Sequence, residues 1–190
     1  MDGIASLLDT ISTEQVHRIW EKLQNKCAIP EIRDHIVPHF SWHVAERYKQ
    51  ESLTQTLKNF CEQLGNFQVK TSGLGVFNGE KHVIYLGIVK DKTLLDNHLR
   101  IYEAVEPLAI NPSPYYSPEH WVPHITLYIE EIFTHLPEDW NSDKTIMCVL
   151  EILLKQNFPM NIEVDNLAYG RTVNGMMQVQ PYPFKCNSDK

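Results

Sequence analysis

No run of apolar residues in this chain approaches the roughly 18 needed to span a membrane, and none of its four cysteines (Cys27, Cys61, Cys148, Cys186) stands in a Cys-x-x-Cys pair. The first absence excludes a spanning helix. The second argues against a zinc knuckle or a disulfide framework, and so makes a reducing cytoplasm the expected compartment. Basic charge is also in deficit. Seventeen Lys and Arg against 24 Asp and Glu leave a net charge of −7, which excludes broad, salt-driven binding to long nucleic acid but not a small phosphate held in a locally positive pocket. Met1-Asp2-Gly3-Ile4 has no basic stretch before an apolar core and does not read as a signal peptide. No His-Glu-x-x-His occurs, and although His35, His39 and His43 are spaced as i, i+4 ligands, Pro38 among them and the strand pattern argue against a helix; no metal is expected.

What remains is ordinary globular composition, 43% hydrophobic and 22% charged. A chain of 190 residues suits one medium domain or two small lobes sharing a core.

One pattern occurs twice. Val37-Pro38-His39-Phe40-Ser41-Trp42 and Val122-Pro123-His124-Ile125-Thr126-Leu127 both read Val-Pro-His, apolar, hydroxyl, apolar. Alternation of that kind is strand periodicity, so His39 and Ser41 share one face and His124 and Thr126 repeat the arrangement. A proline just before each histidine fits the start of a strand. The same alternation puts His43 and Tyr128, each four residues after its histidine, on the motif face, where they either line a cleft or serve structure.

The surroundings repeat as well. Residues 12–28 carry Val16, Ile19, Trp20, Leu23 and Cys27 at helical spacing, with Ser12 or Thr13 as cap and Pro30 as terminator. After the first motif, a helix from Ser52 or Thr54 buries Leu53, Leu57, Phe60, Cys61 and Leu64 and stops at Gly65-Asn66. Strands follow at Phe67 to Phe77 and His82 to Val89, joined by an Asn78-Gly79 hairpin turn. In the second half Leu94, Leu95, Leu99, Tyr102, Val105 and Leu108 form a helix face, and a loop from Asn111 to His120 leads to the second motif. A turn at Pro137-Glu138-Asp139 precedes a helix capped by Asp143 and running to about Asn157. Strands at Ile162 to Tyr169 and Met176 to Val179 flank a second Asn-Gly, Asn174-Gly175. The order helix, motif strand, helix, strand, Asn-Gly, strand thus occurs in each half, which reads as a diverged duplication with lobes at about 12–90 and 93–182.

Two facing imidazoles suit proton transfer at neutral pH: one accepts while the other donates. A hydroxyl beside each can donate a hydrogen bond to a phosphoryl oxygen. The doubled His-x-(Ser/Thr)-apolar pattern in matching halves resembles the 2H phosphoesterase superfamily, in its 2′-5′ RNA ligase-like (LigT-like) branch, over about residues 12 to 180. The resemblance implies an α+β, bilobal duplicated fold, with two antiparallel β-sheets facing a central cleft and helices packed outside. It implies metal-independent hydrolysis of 2′,3′-cyclic phosphates or 2′-5′ linkages at RNA ends or nucleotides, without cofactor, membrane or obligate protein partner. It makes His39 and His124 the catalytic pair, and Ser41 and Thr126 the phosphate-binding hydroxyls. Ser41 replaces the commoner threonine, and Tyr128-Ile129-Glu130 stand where many bacterial members carry an arginine. Ligation, the same chemistry reversed, and a nucleotide-binding module without turnover are the alternatives.

Trp121, Tyr115 and Tyr116 flank the second motif as candidates to stack on a base or to pack the loop. Arg171 is a candidate phosphate fork or a solvent-exposed arginine. His17, His82, His98, His120 and His135 read as surface or packing residues.

Overall fold

The chain was analysed as a computed structural model describing residues 1–79, 82–130, 140–174 and 176–185. His135, Gly175, Cys186 and the turn at Pro137-Glu138-Asp139 fall outside these residues. In chain order the elements are β1 (Asp2–Leu7), α1 (Thr10–Cys27), β2 (His39–Tyr48), α2 (Gln50–Gln63), β3 (Phe67–Phe77) and β4 (Val83–Ile88), then α3 (Lys92–Val105), β5 (Ala109–Pro112), β6 (His124–Ile129), α4 (Ser142–Leu153), β7 (Asn161–Val164), β8 (Asn166–Val173) and β9 (Met176–Pro183).

The repeated order is present, with additions. Strands β1 and β5 have no counterpart in the periodicity reading. Ile162 to Tyr169, which reads as one strand, is two: β7 and β8 part at Asp165, and they lie in different halves of the sheet. Helix α1 starts earlier than Ser12 because Asp9 caps it, accepting from Ser12 N at 2.8 Å. It ends at Ala28 in the left-handed conformation (φ 53°), two residues before Pro30. In α4 the cap is Asn141 rather than Asp143, accepting from Lys144 N at 2.8 Å, and the helix stops at Leu153. On α3 the buried face is Leu94, Asn97, His98, Ile101 and Val105, while Leu95 and Leu99 are exposed. The face expected from leucines alone is rotated because His98 occupies the inward position against Trp121.

The strands form one curled antiparallel path, β7-β3-β4-β6-β2-β1-β8-β9, with β5 paired to β2. It divides into two four-stranded halves, β7-β3-β4-β6 and β2-β1-β8-β9, that meet at the two motif strands through a single pair, Phe40 with Ile125. The division does not follow the chain's midpoint, since β2 shares its half with β1 from the N-terminal end and with β8 and β9 from the C-terminal end. Phe40, Trp42, Ile125 and Leu127 point away from the motif face into the core, fully buried among residues of the helices such as Val16, Trp20, Leu23, Leu53 and Leu57. Burying each such side chain contributes roughly 1.5–3 kcal/mol. The helices therefore cover one side of the sheet and leave the histidine side open.

Cys27, at the end of α1, is disulfide-bonded to Cys148 of α4, with Cα atoms 5.7 Å apart. This overturns the expectation of no disulfide. Sequence spacing cannot reveal a pairing across 121 residues, and the cysteine argument for a reducing compartment loses its basis. No helix among the described residues is long and apolar enough to cross a membrane. Because so long a loop is closed, replacing both cysteines by serine should lower the unfolding free energy by about 2–5 kcal/mol. Urea unfolding of C27S/C148S against the oxidised parent measures it.

Candidate active site

The geometry starts from the Val-Pro-His run. Proline restricts the residue before it to extended backbone, which sets the carbonyls of Val37 and Val122. His39 Nδ1 lies 2.7 Å from Val37 O, and His124 Nδ1 lies 2.7 Å from Val122 O. A carbonyl only accepts, so each Nδ1 carries the hydrogen and donates it. Each neutral ring then keeps Nε2 as its free acceptor.

The pairing of Phe40 with Ile125 puts the two motifs side by side. Carried one residue either way, that antiparallel register sets His39 beside Thr126 and Ser41 beside His124. All four lie on the face opposite Phe40 and Ile125, with strands about 4.8 Å apart. The four motif side chains thus form a compact, partly buried square, and the two histidines sense each other's charge. Burial lowers the pKa of His39, against the Val37 carbonyl, which raises it. Burial also lowers that of His124, and the charge of His39 adds to the effect.

Both motif strands then break alternation at the same place. In β2 the partners run Ser41 with Ala5, then His43 with Ile4, so Trp42 is an extra residue. In β6 they run Thr126 with Tyr85, then Tyr128 with Ile84, so Leu127 is extra. A bulge re-aims the side chains beyond it. His43 and Tyr128, expected on the motif face, are turned into the core and fully buried. There His43 Nε2 donates to Glu106 Oε2 at 2.8 Å, and its Nδ1 accepts from the Tyr48 hydroxyl at 2.6 Å. The Tyr128 hydroxyl donates to Glu130 Oε1 at 3.2 Å. Neither faces the cleft.

Trp121 is likewise buried. Its ring stacks on His98 at 3.7 Å and on Trp42 at 5.5 Å, and its Nε1 donates to Ser41 O at 2.9 Å. It holds the first motif strand in place and is closed to a base. Burial drives His98 down to about pKa 4, so this stack is neutral. Arg171 pairs with Asp2 across β8 and β1, on the face opposite Ala5 and Leu7, whose partners are Ser41 and His39. It stands with Gln50 and Tyr169 on the reverse of the sheet, away from the histidines. Tyr115 is 75% exposed, and it is the adjacent Tyr116 whose hydroxyl bonds Ser41.

Two residues that the sequence reading did not place at the site join the square: Phe77 and Tyr85, stacked on each other at 4.2 Å and set against the His124 ring at 4.9 Å and 5.1 Å. Tyr116, a candidate to stack on a base or to pack the loop, joins it through Ser41. Gly75 makes this possible, because a Cβ there would stand 2.3 Å from Tyr85 Cζ. No aromatic ring packs on His39 among the described residues, so the pseudo-symmetry stops at the histidines' neighbours.

A fold with two helix-backed half-sheets and a doubled histidine–hydroxyl face defines a two-histidine phosphoesterase architecture. The profile of the 2′-5′ RNA ligase superfamily matches residues 10–175, and the chain belongs to that superfamily. The crystal structure of TT0787 from Thermus thermophilus is similar, with a TM-score of 0.59, 14% identity, and 98% of each chain covered. The Escherichia coli LigT structure, complexed with NADP+, is similar with a TM-score of 0.51 and 13% identity, covering 95% of this chain and 93% of that one. No curated protein sequence matches the chain.

If Trp121 is structural, Trp121→Ala should cost about 3–5 kcal/mol of stability. Denaturant unfolding tests this; an unchanged midpoint with weakened nucleotide binding would restore the base-stacking role.

Proposed function

We propose that this protein is a phosphodiesterase acting on 2′,3′-cyclic phosphates or 2′-5′ linkages at RNA ends or nucleotides, with His39 and His124 as a general acid–base pair. The observation that carries the reading is the register at Phe40 and Ile125. It brings both imidazoles and both hydroxyls to one face, with Nδ1 of each ring already engaged. The LigT structure complexed with NADP+ supports a nucleotide ligand for this fold.

On a cyclic phosphate, one neutral Nε2 takes a proton from water as its oxygen bonds to phosphorus. The other imidazole, protonated, gives its proton to the ribose oxygen that leaves. Ser41 and Thr126 donate to the non-bridging oxygens, where negative charge grows. Protein groups supply both proton transfers. Joining of ends uses the same groups with the 5′-hydroxyl of a second end in place of water: its proton goes to the neutral imidazole, its oxygen bonds to phosphorus and the ribose oxygen leaves, in keeping with the superfamily's name.

The test is incubation with a nucleoside 2′,3′-cyclic phosphate in excess chelator, with identification of the ring-opened monophosphate. Tight binding without product would support a nucleotide-binding module instead. His39→Ala and His124→Ala should each lower kcat/KM by about 10²–10⁴ with the far-ultraviolet circular dichroism unchanged; near-parental turnover in either refutes the pairing.

The pH dependence follows from the lowered pKa values. The base must be neutral, which needs a pH above its pKa, and the acid must be charged, which needs a pH below its own. Both groups titrate below the usual 6.5. The bell of kcat/KM against pH, which reports the free enzyme, should therefore peak on the acid side of 6.5 and fall toward pH 8.

A further inference from the structure

On the β3–β4 side of the second motif, against Val122 and Pro123, lies a hollow of about 230 Å³ whose lining includes Ser72, Gly73, Gly75, Tyr85, Gly87 and Lys90. Gly87 is the register partner of His124, so the hollow starts beside the imidazole. At Ser72 and Gly73 the β3 register shifts by one against β4, which widens the strand opposite Gly87. The Ser72 hydroxyl fills the place a Gly87 Cβ would take, 2.8 Å away. Tyr85 lies across Gly75, and nothing stands within 4 Å of a Cβ built at Gly73. The floor is therefore bare backbone, walled on one side by an aromatic ring. At its far end is Lys90, which is exposed and has no ion-pair partner among the described residues.

The β1–β8 region beside His39 is lined differently. The motif face there carries Leu7, Ala5, Ala168 and Gly170, and Met177 reaches over Gly170, within 2.7 Å of where its Cβ would stand. The hollow and its lysine lie on the His124 side.

We propose that this hollow seats the nucleoside attached to the reacting phosphorus, with Lys90 binding the phosphate on that nucleoside's 5′ oxygen. The proposal rests on the phosphodiesterase reading above and deepens it. The volume is below the about 300–1,000 Å³ of drug-sized pockets, a size suited to a single nucleoside. From Gly87 to Lys90 is three residues, about 10 Å of strand, and the lysine stem folds back over part of that length. This places a cation one nucleotide from the histidine pair. In a protein of net charge −7, an unpaired lysine there favours an anion by direct attraction.

The experiment compares a nucleoside 2′,3′-cyclic phosphate with the same compound carrying a 5′-phosphate. The 5′-phosphate should raise kcat/KM about tenfold, the worth of one charge-assisted contact. Lys90→Gln should bring that ratio close to one and Lys90→Arg should restore it. Lys185→Gln, remote and paired with Glu62, should leave the ratio as it is. A dinucleotide ending in the cyclic phosphate distinguishes the source. A gain shared by the dinucleotide assigns the site to polynucleotide ends; a gain confined to the free 5′-phosphate assigns it to 5′-phosphorylated nucleotides. Equal kcat/KM with and without the 5′-phosphate, or a ratio that Lys90→Gln leaves intact, overturns the proposal. If neither compound turns over, the phosphodiesterase reading fails by itself. Calorimetric titration with a nucleoside 3′-phosphate and a 3′,5′-bisphosphate then decides this proposal, equal affinities overturning it.

Discussion

One backbone pair joins the halves of this protein. Phe40 meets Ile125, and from that contact the two motif strands take their relative position. The pair is held from the core side, where both side chains are fully buried. A slip of one residue would send one motif's histidine and hydroxyl into the core and its apolar residues into the cleft. The apolar residue between His and the hydroxyl is thus as much a part of the site as the polar ones, since its burial aims its neighbours.

The paired bulges serve the same end. Uninterrupted alternation would crowd the motif face with His43 and Tyr128. The extra residues Trp42 and Leu127 instead direct both inward, where each reaches a glutamate, Glu106 or Glu130. A half-buried pair of histidine–hydroxyl couples is followed immediately by a buried polar clasp, and the bends set the boundary between them. Trp121, stacked between His98 and Trp42, then ties the loop before β6 to the strand that carries the first motif.

Much of this was legible in residue order. The Val-Pro-His repeats, the four helices and the strand at Phe67 to Phe77 follow from periodicity, capping chemistry and proline. What was lost was lost to register. Strict alternation put His43 and Tyr128 in the cleft, since a bulge leaves no mark in composition. Reading Asn78-Gly79 as a two-residue turn would pair Phe77 with position 80. The observed partner is Val83, and that difference moves Tyr85 onto the same face as Phe77. The aromatic wall beside His124 was therefore invisible until the longer connection was seen. Arg171 failed for a related reason: nearness in order to Tyr169 and Gly170 says nothing about which side of the sheet a residue takes. The Cys27–Cys148 bond was beyond local reasoning altogether.

The exchange of strands between the halves has a further consequence. The first motif strand is paired on one side with β1, and β1 in turn with β8, so strands from before α1 and after α4 close the same half of the sheet. Neither half of the chain can complete its own sheet while it emerges from the ribosome. Non-local closure of this kind makes assembly slow, and the sheet that carries the motif face is completed only after strands far apart in the chain have paired.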